Sequence, residues 1–322
     1  MKNFTRKGIL IWFVVVTMIS CGGHKSATNV EVTETVADTS TTATDDEGES
    51  EKIPESGFDG DPAVSGNSAN IIAITKSIAD GDAKKLASLT LFPIGRRYPL
   101  RDIKDGADMV RRFNSVFDAG FRQKMKSAKP SDWHSYGWRG YCYGDSSELW
   151  VYDSLTIVNY YSPQEKKLYG ELVKKEMGSL HESLRGKGWL PFCCFKDLTD
   201  GSIVRVDIRE RKELKEENFH KDGVALAYPQ LQPFKVRGDE EFRLSVYPKG
   251  IALKGEPQIV VNGYVEIGGS ANMMDYVFKK GNLEFVFGDS FNEEGKQFLM
   301  IKKEGKEAQH EIESCYWLDQ IN

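Results

Sequence analysis

A change of hydrophobic period near Pro130 sets narrow limits on the fold. Upstream of it, Ile71, Ile74 and Ile78 recur at helical spacing from Ser68 onward. Asp80-Gly81-Asp82 ends that helix and caps the next, which carries Leu86 and Leu89. Asp105 opens a third helix whose apolar face holds Met109, Phe113, Val116 and Phe117. Phe121 and Met125 carry that face on to Pro130. Phe92–Leu100 contains Pro93 and Pro99 and cannot be helical. Downstream the period falls to two. Trp133–Tyr143 predicts one strand with Gly144-Asp145 as its turn. Glu148–Tyr152 and Leu155–Tyr161 predict two more, joined at Asp153-Ser154. Helices first and an antiparallel meander second is the order of an α+β unit whose helices cover one sheet face. Alternation along Trp133–Tyr143 assigns Tyr136, Trp138 and Cys142 to the helix-covered face, and Gly137, Arg139 and Tyr141 to the other.

Ser162-Pro163-Gln164-Glu165 starts the next element, with a serine cap, proline at the first helical position and glutamate at the third. Leu168, Leu172, Met177, Leu180 and Leu184 predict one apolar stripe on a long connecting helix, ended by Gly186 and Gly188. Beyond Trp189 short strands alternate with tight-turn dipeptides: Asp200-Gly201, Asn262-Gly263, Lys280-Gly281-Asn282 and Glu304-Gly305. Consecutive hairpins predict an antiparallel sandwich or open barrel. The charged stretch Arg209–Asp222 reads as an exposed excursion. The predicted organisation is therefore an α+β unit over 68–162, a connecting helix over 163–188 and a β-rich unit over 189–322.

The first twenty residues have the anatomy of a secretory leader: Lys2, Arg6 and Lys7, then an apolar run from Ile9 to Ile19 too short to span a bilayer permanently. Ser20-Cys21-Gly22 follows. That junction resembles the lipobox of bacterial lipoproteins, although Met18 stands where leucine is commonest. The resemblance implies that Cys21 is lipidated and becomes the mature N-terminus, attaching the chain to a membrane. The formal net charge is −5, and since three of the positive charges belong to the leader, the remainder carries −8. With no dense basic patch, this argues against nucleic-acid binding. Residues 26–67, rich in Thr, Ser, Gly and acid, predict a solvated tether. Gly22-Gly23-His24-Lys25 lacks an early acidic cluster, which favours the periplasmic side of the outer membrane over surface export.

A second resemblance rests on Asp80-Gly81-Asp82, Tyr98-Pro99-Leu100, Gly137-Trp138-Arg139-Gly140, Trp150 and Ile157–Asn159, and in the second half on Phe242-Arg243, Val261-Asn262-Gly263 and Gly268-Gly269-Ser270. These runs are similar to an uncharacterised group of secreted two-domain bacterial proteins. Their helices-then-sheet order is similar to the NTF2-like, cone-shaped fold. Such a cone hosts isomerases, dehydratases and pure binding modules alike, so the likeness implies a fold and leaves the activity open.

The chemistry of the chain is sparse. Cys142, Cys193, Cys194 and Cys315 remain after Cys21, in what the leader implies is an oxidising compartment. Cys193 and Cys194 point opposite ways on a strand, and four cysteines allow three pairings. With no C-x-x-C, no H-x-x-x-H and histidines scattered at 134, 181, 220 and 310, no metal or cofactor is expected. Nucleotide-binding and serine-hydrolase signatures are missing, and a Cys193–His181 nucleophile pair requires a coincidence of folding. The candidate site is the cone, lined by Arg139, Tyr141, Asp153, Asn159 and Tyr161, with Arg96 or Arg97 at its mouth. Arginine beside aromatics suits an anionic or sugar-like ligand. Against this stands the plainer arrangement in which Arg139 pairs with a helix carboxylate and the tyrosines fill the core. The expectation is a membrane-anchored envelope module that binds such a ligand or another envelope protein. The alternative is an NTF2-like isomerase, dehydratase or hydrolase.

Overall fold

The computed structural model describes residues 68–137, 140–144, 146–186, 188–210, 240–268, 273–293 and 296–321. The expected leader, Cys21, the tether, Trp138, Arg139 and most of the 209–222 excursion lie outside them.

The first unit is helical and then β, as its periods require. α1 (Ser68–Asp80) buries Ile71, Ile74 and Ile78, each to 1% exposure or less. Each contributes roughly 1.5–3 kcal/mol by leaving water. Asp82 caps α2 (Ala83–Ser88), accepting from the Lys85 N–H at 2.9 Å. Asp105 caps α3 (Gly106–Val116) through the Asp108 N–H at 2.8 Å. The face expected to continue unbroken to Pro130 instead belongs to two helices, because Phe117 leaves helical geometry and Asp118 starts α4 (Ala119–Lys126) by accepting from the Phe121 N–H.

The stretch 133–143 is not one strand. β1 (Trp133–Ser135) and β2 (Tyr141–Tyr143) pair antiparallel, and the chain reverses between them. Tyr136 N–H donates to the Gly140 carbonyl and Gly140 N–H to that of Gly137. Two glycines three residues apart made the reversal available: both have positive φ, 60° and 91°. At Gly140 a Cβ would sit 2.3 Å from the Val151 carbonyl oxygen, so no other residue fits there. β3 (Leu149–Val151) and β4 (Leu155–Val158) complete a four-stranded meander in the order β1-β2-β3-β4. The reversal also corrects the faces. Trp133, Tyr141 and Tyr143 pack into the helix-covered core with Phe113, Phe117 and Ile71. Half-buried Tyr136 lies across the sheet against Trp150, ring centroids 5.0 Å apart.

α5 (Pro163–Ser179) begins at the Ser162 cap, whose Oγ accepts from Glu165 N–H. It is shorter than expected and turned differently. Leu168 is 44% exposed, Tyr169 and Glu176 face inward, and Leu184 sits on a separate 3-10 turn.

The β-rich unit is a closed eight-stranded antiparallel barrel, a more complete closure than the expected sandwich or open barrel. Its strands are β5 (Leu190–Asp197), β6 (Ile203–Glu210), β7 (Glu240–Tyr247), β8 (Ile259–Gly268), β9 (Met273–Lys280), β10 (Leu283–Gly288), β12 (Lys296–Lys303) and β13 (Lys306–Ser314). Each pairs with the next. β10–β12 and β13–β5 close the ring, and the short β11 (Asn292–Glu293) hairpins onto β12. Closure removes the edges that an open sheet would expose. Three predicted turns fall where expected, while Asn262-Gly263 lies inside β8. Gly263 serves a different need there: a Cβ would lie 2.3 Å from the Val277 carbonyl oxygen and 2.5 Å from the Phe278 ring. Inward residues fill the barrel. Phe192, Phe242, Tyr276 and Phe287 form a chain of ring contacts at 5.0–5.3 Å, among Val204, Val206, Leu244 and Leu299.

The outer face of β5–β7 carries a second layer. Leu180, Leu184, Cys194, Ile203, Tyr247 and Trp317 form a cluster there, Trp317 belonging to the C-terminal helix α6 (Trp317–Gln320). Inside this layer lie four charges. Arg205 pairs with Glu176 of α5 and, at 2.6 Å, with Asp207, which pairs in turn with Arg243 at 2.6 Å. Two positive and two negative groups balance. The halves are tied together here: the Tyr98 hydroxyl donates to Glu176 at 2.8 Å and accepts from the Trp317 N–H at 3.0 Å.

Candidate functional site

The structure places the sequence-nominated residues as internal ties. The Arg96 guanidinium is fully enclosed. It donates to the carbonyls of Val158 and Tyr160, pairs with Glu165 of α5 and lies 3.8 Å over the Tyr161 ring. Arg97 donates from its N–H to the Tyr161 hydroxyl and from Nε to that of Tyr169, both at 3.1 Å. An arginine on a helix carboxylate, weighed above for Arg139, is found here at Arg96 instead. Arg96, Arg97 and Tyr161 are thus brought together beside α5. The other nominees are elsewhere. Asn159 donates from Nδ2 to the Ser147 carbonyl. Tyr141 fills the helix-facing core. Asp153 is exposed on the β3–β4 turn, where its carbonyl accepts from Asn70. Arg139 lies outside the described residues. The five described residues other than Asp153 are buried.

The cysteine–histidine pair does not form either. Cys193 packs against the barrel core, whereas His181 Nδ1 lies 2.9 Å from the Ser183 hydroxyl on the 3-10 turn after α5. Burial pushes the Cys193 and Cys194 thiols well up and that of Cys142 up to about 11, which leaves little nucleophilic thiolate at neutral pH.

A different grouping is found at the barrel end formed by the β5–β6 hairpin. Asp197 closes β5. Its Oδ1 accepts from the Thr199 N–H at 2.7 Å and the Asp200 N–H at 3.3 Å, and Gly201 completes the turn at φ 77°. Its Oδ2 faces His310 Nδ1 of β13 at 2.6 Å; a carboxylate only accepts, so the imidazole donates. Asp197 is 2% and His310 17% exposed. Asp200, exposed, brings a second carboxylate, and the three groups offer ligand atoms within 4.8 Å of one another. One imidazole with two carboxylates is a donor set that divalent transition ions accept. Here both Asp197 oxygens already hold the hairpin and His310 in place, which identifies the group first as a lock on the barrel's closing seam. Sequence spacing gave no sign of it, since Asp197 and His310 are 113 residues apart.

Beside this lock opens a cleft of about 490 Å³. One wall is the β5–β6 hairpin, the other the loop after β7 (Pro248–Leu253), and Gln320 of α6 closes one side. Leu198, 47% exposed, comes from the hairpin and Ile251, 41% exposed, from the loop. Lys196, Asp200 and Lys249 supply charge around them. No family model, curated protein or solved structure matches the chain.

Proposed function

We propose that the chain is a cell-envelope lipoprotein, attached through Cys21 to the periplasmic face of the outer membrane, that acts as a binding module for another envelope protein. The observation that carries the binding half is the pair of half-exposed aliphatic side chains, Leu198 and Ile251, lining one charged cleft. Apolar side chains held open by two separate loops suit an apolar residue of a partner, while Lys196, Asp200 and Lys249 suit polar groups flanking it. The helices-and-sheet unit is read as an NTF2-like scaffold on its element order. The enzymatic alternative needs an open cone; Tyr141, Tyr161, Arg96 and Asn159 sit in internal contacts, which favours binding.

The test is site-specific photo-crosslinking of the full chain in intact cells. A photoreactive residue at Leu198 or at Ile251 is expected to give the same protein adduct, while one at the equally exposed Leu168 on α5 does not. Adducts absent from both cleft positions, or equal from Leu168, would overturn the assignment.

A further inference from the structure

We propose that Cys194 and Cys315 form a disulfide that fastens the C-terminal segment to the first strand of the barrel. Their sulfurs lie 3.2 Å apart, and the Cys315 N–H donates to the Cys194 carbonyl at 2.9 Å. The β5–β13 register pairs Ser314 with Phe195, so Cys315 stands directly opposite Cys194, one step beyond the last ladder pair. Directly opposed residues in an antiparallel pair have Cα atoms about 4.5–5.5 Å apart, within the range a disulfide spans. The other two thiols are placed elsewhere: Cys193 packs on the barrel-core side of β5, and Cys142 belongs to the four-stranded sheet, its Sγ directed at the Tyr143 and Gly144 carbonyls. Of the six single links that four cysteines allow, Cys194–Cys315 is the one whose sulfurs the structure brings together.

The bond would act where the two halves meet. Immediately after Cys315, the Tyr316 ring stacks on Tyr98 at 5.9 Å and its hydroxyl accepts from the Asp102 N–H. The Trp317 indole donates to Ser179, and Asp319 pairs with Arg101. A link at Cys315 therefore holds the root of a segment that grips the α2–α3 connection, α5 and the barrel together.

Formation needs a disulfide-bearing oxidant. The half-exposed Cys315 attacks it as thiolate and releases one reduced thiol. Cys194 then attacks the Cys315 sulfur and releases the second, so two protein thiols are oxidised and one disulfide is reduced to two thiols. That the bond forms in the cell rests on the envelope reading; the geometry of the pair does not.

The full chain, purified in detergent and treated with oxidised glutathione, is denatured, alkylated and digested without reduction. The expected result is a linked Cys194–Cys315 peptide pair, with Cys142 and Cys193 alkylated. Alkylation of both Cys194 and Cys315, a glutathione adduct persisting on Cys315, or linkage of either to Cys142 or Cys193 would overturn the pairing. In a Cys315→Ser chain Cys194 should stay alkylatable; its capture by Cys193 would count against a specific pair. Acid-trapped cells give the second arm. A bond present there supports both readings, while a bond formed only with the purified chain upholds the pairing and counts against export.

Discussion

Arg205→Met is expected to lower stability by about 3–5 kcal/mol, read from urea unfolding, because it leaves two carboxylates buried with too little opposing charge. Arg205 has no exposed surface and pairs with Glu176 and Asp207, which are 1% and 0% exposed. Burial pulls the guanidinium pKa down, but Asp207 and Glu176 outweigh it, so the pKa stands above the usual arginine range. Without Arg205, Asp207 keeps Arg243, whereas among the described residues Glu176 keeps only the Tyr98 hydroxyl. Glu176 suffers most, since burial already pushes its carboxyl up more than Arg205 pulls it down. The double replacement Arg205→Met with Glu176→Leu should recover most of the loss, because removing a buried pair together is far milder than breaking it. Equal losses in the single and double variants would show that packing, not charge, dominates this layer.

The second large effect is a dependence on pH at Asp102. Burial pushes this carboxyl from the ordinary 3.8 up to about 6, against the opposing pull of the Arg96 N–H, which donates to it at 2.7 Å, and of Arg112 beyond. Below about pH 4 both folded and unfolded chains hold the proton, and the group costs nothing. Between about 4 and 6 the unfolded chain has released it and the folded chain has not, so stability falls as pH rises, and the loss is complete above the folded pKa. Asparagine retains an acceptor for the Arg96 N–H and carries no charge. Asp102→Asn should therefore match the wild type near pH 4 and exceed it by about 1–2 kcal/mol at pH 7, the full linkage value being reduced because the group is part-exposed. Parallel stability curves from pH 4 to 7 would refute the assignment.

What the sequence disclosed follows from how local each signal is. The caps at Asp82, Asp105 and Ser162 act within three residues of themselves, and all three were readable. The 3.6 period of α1 and α3 survives because one face of each helix is buried in a single core. The 133–143 error came from the same locality. Alternating aromatics satisfy a strand pattern, but Gly137 and Gly140 reverse the chain, and a reversal exchanges which face Tyr141 meets. Gly263 misled in the opposite sense: an Asn-Gly pair signals a turn, yet this glycine is required by the ring of Phe278, a contact between strands that no local window contains. The stripe expected on α5 holds at Leu172, Met177 and Leu180 and misses at Leu168, while Glu176 joins the inward face to meet Arg205 across the layer, a partner no local window contains. Candidate sites were least legible of all. Arg96, expected at the mouth of a cone, is enclosed beside Tyr161 with its carboxylate partner Glu165, 69 residues away, and the Asp197–His310 contact spans 113 residues across the barrel seam.

The envelope reading governs the rest, because the compartment decides both the oxidation of Cys194 with Cys315 and the kind of protein that reaches the Leu198–Ile251 cleft. Metabolic labelling of cells with a palmitate analogue, followed by membrane fractionation, tests it most directly. The wild-type chain should carry the label and sediment with the outer membrane, and Cys21→Ala should lose both; label persisting on Cys21→Ala, or an unlabelled wild-type chain, would contradict it.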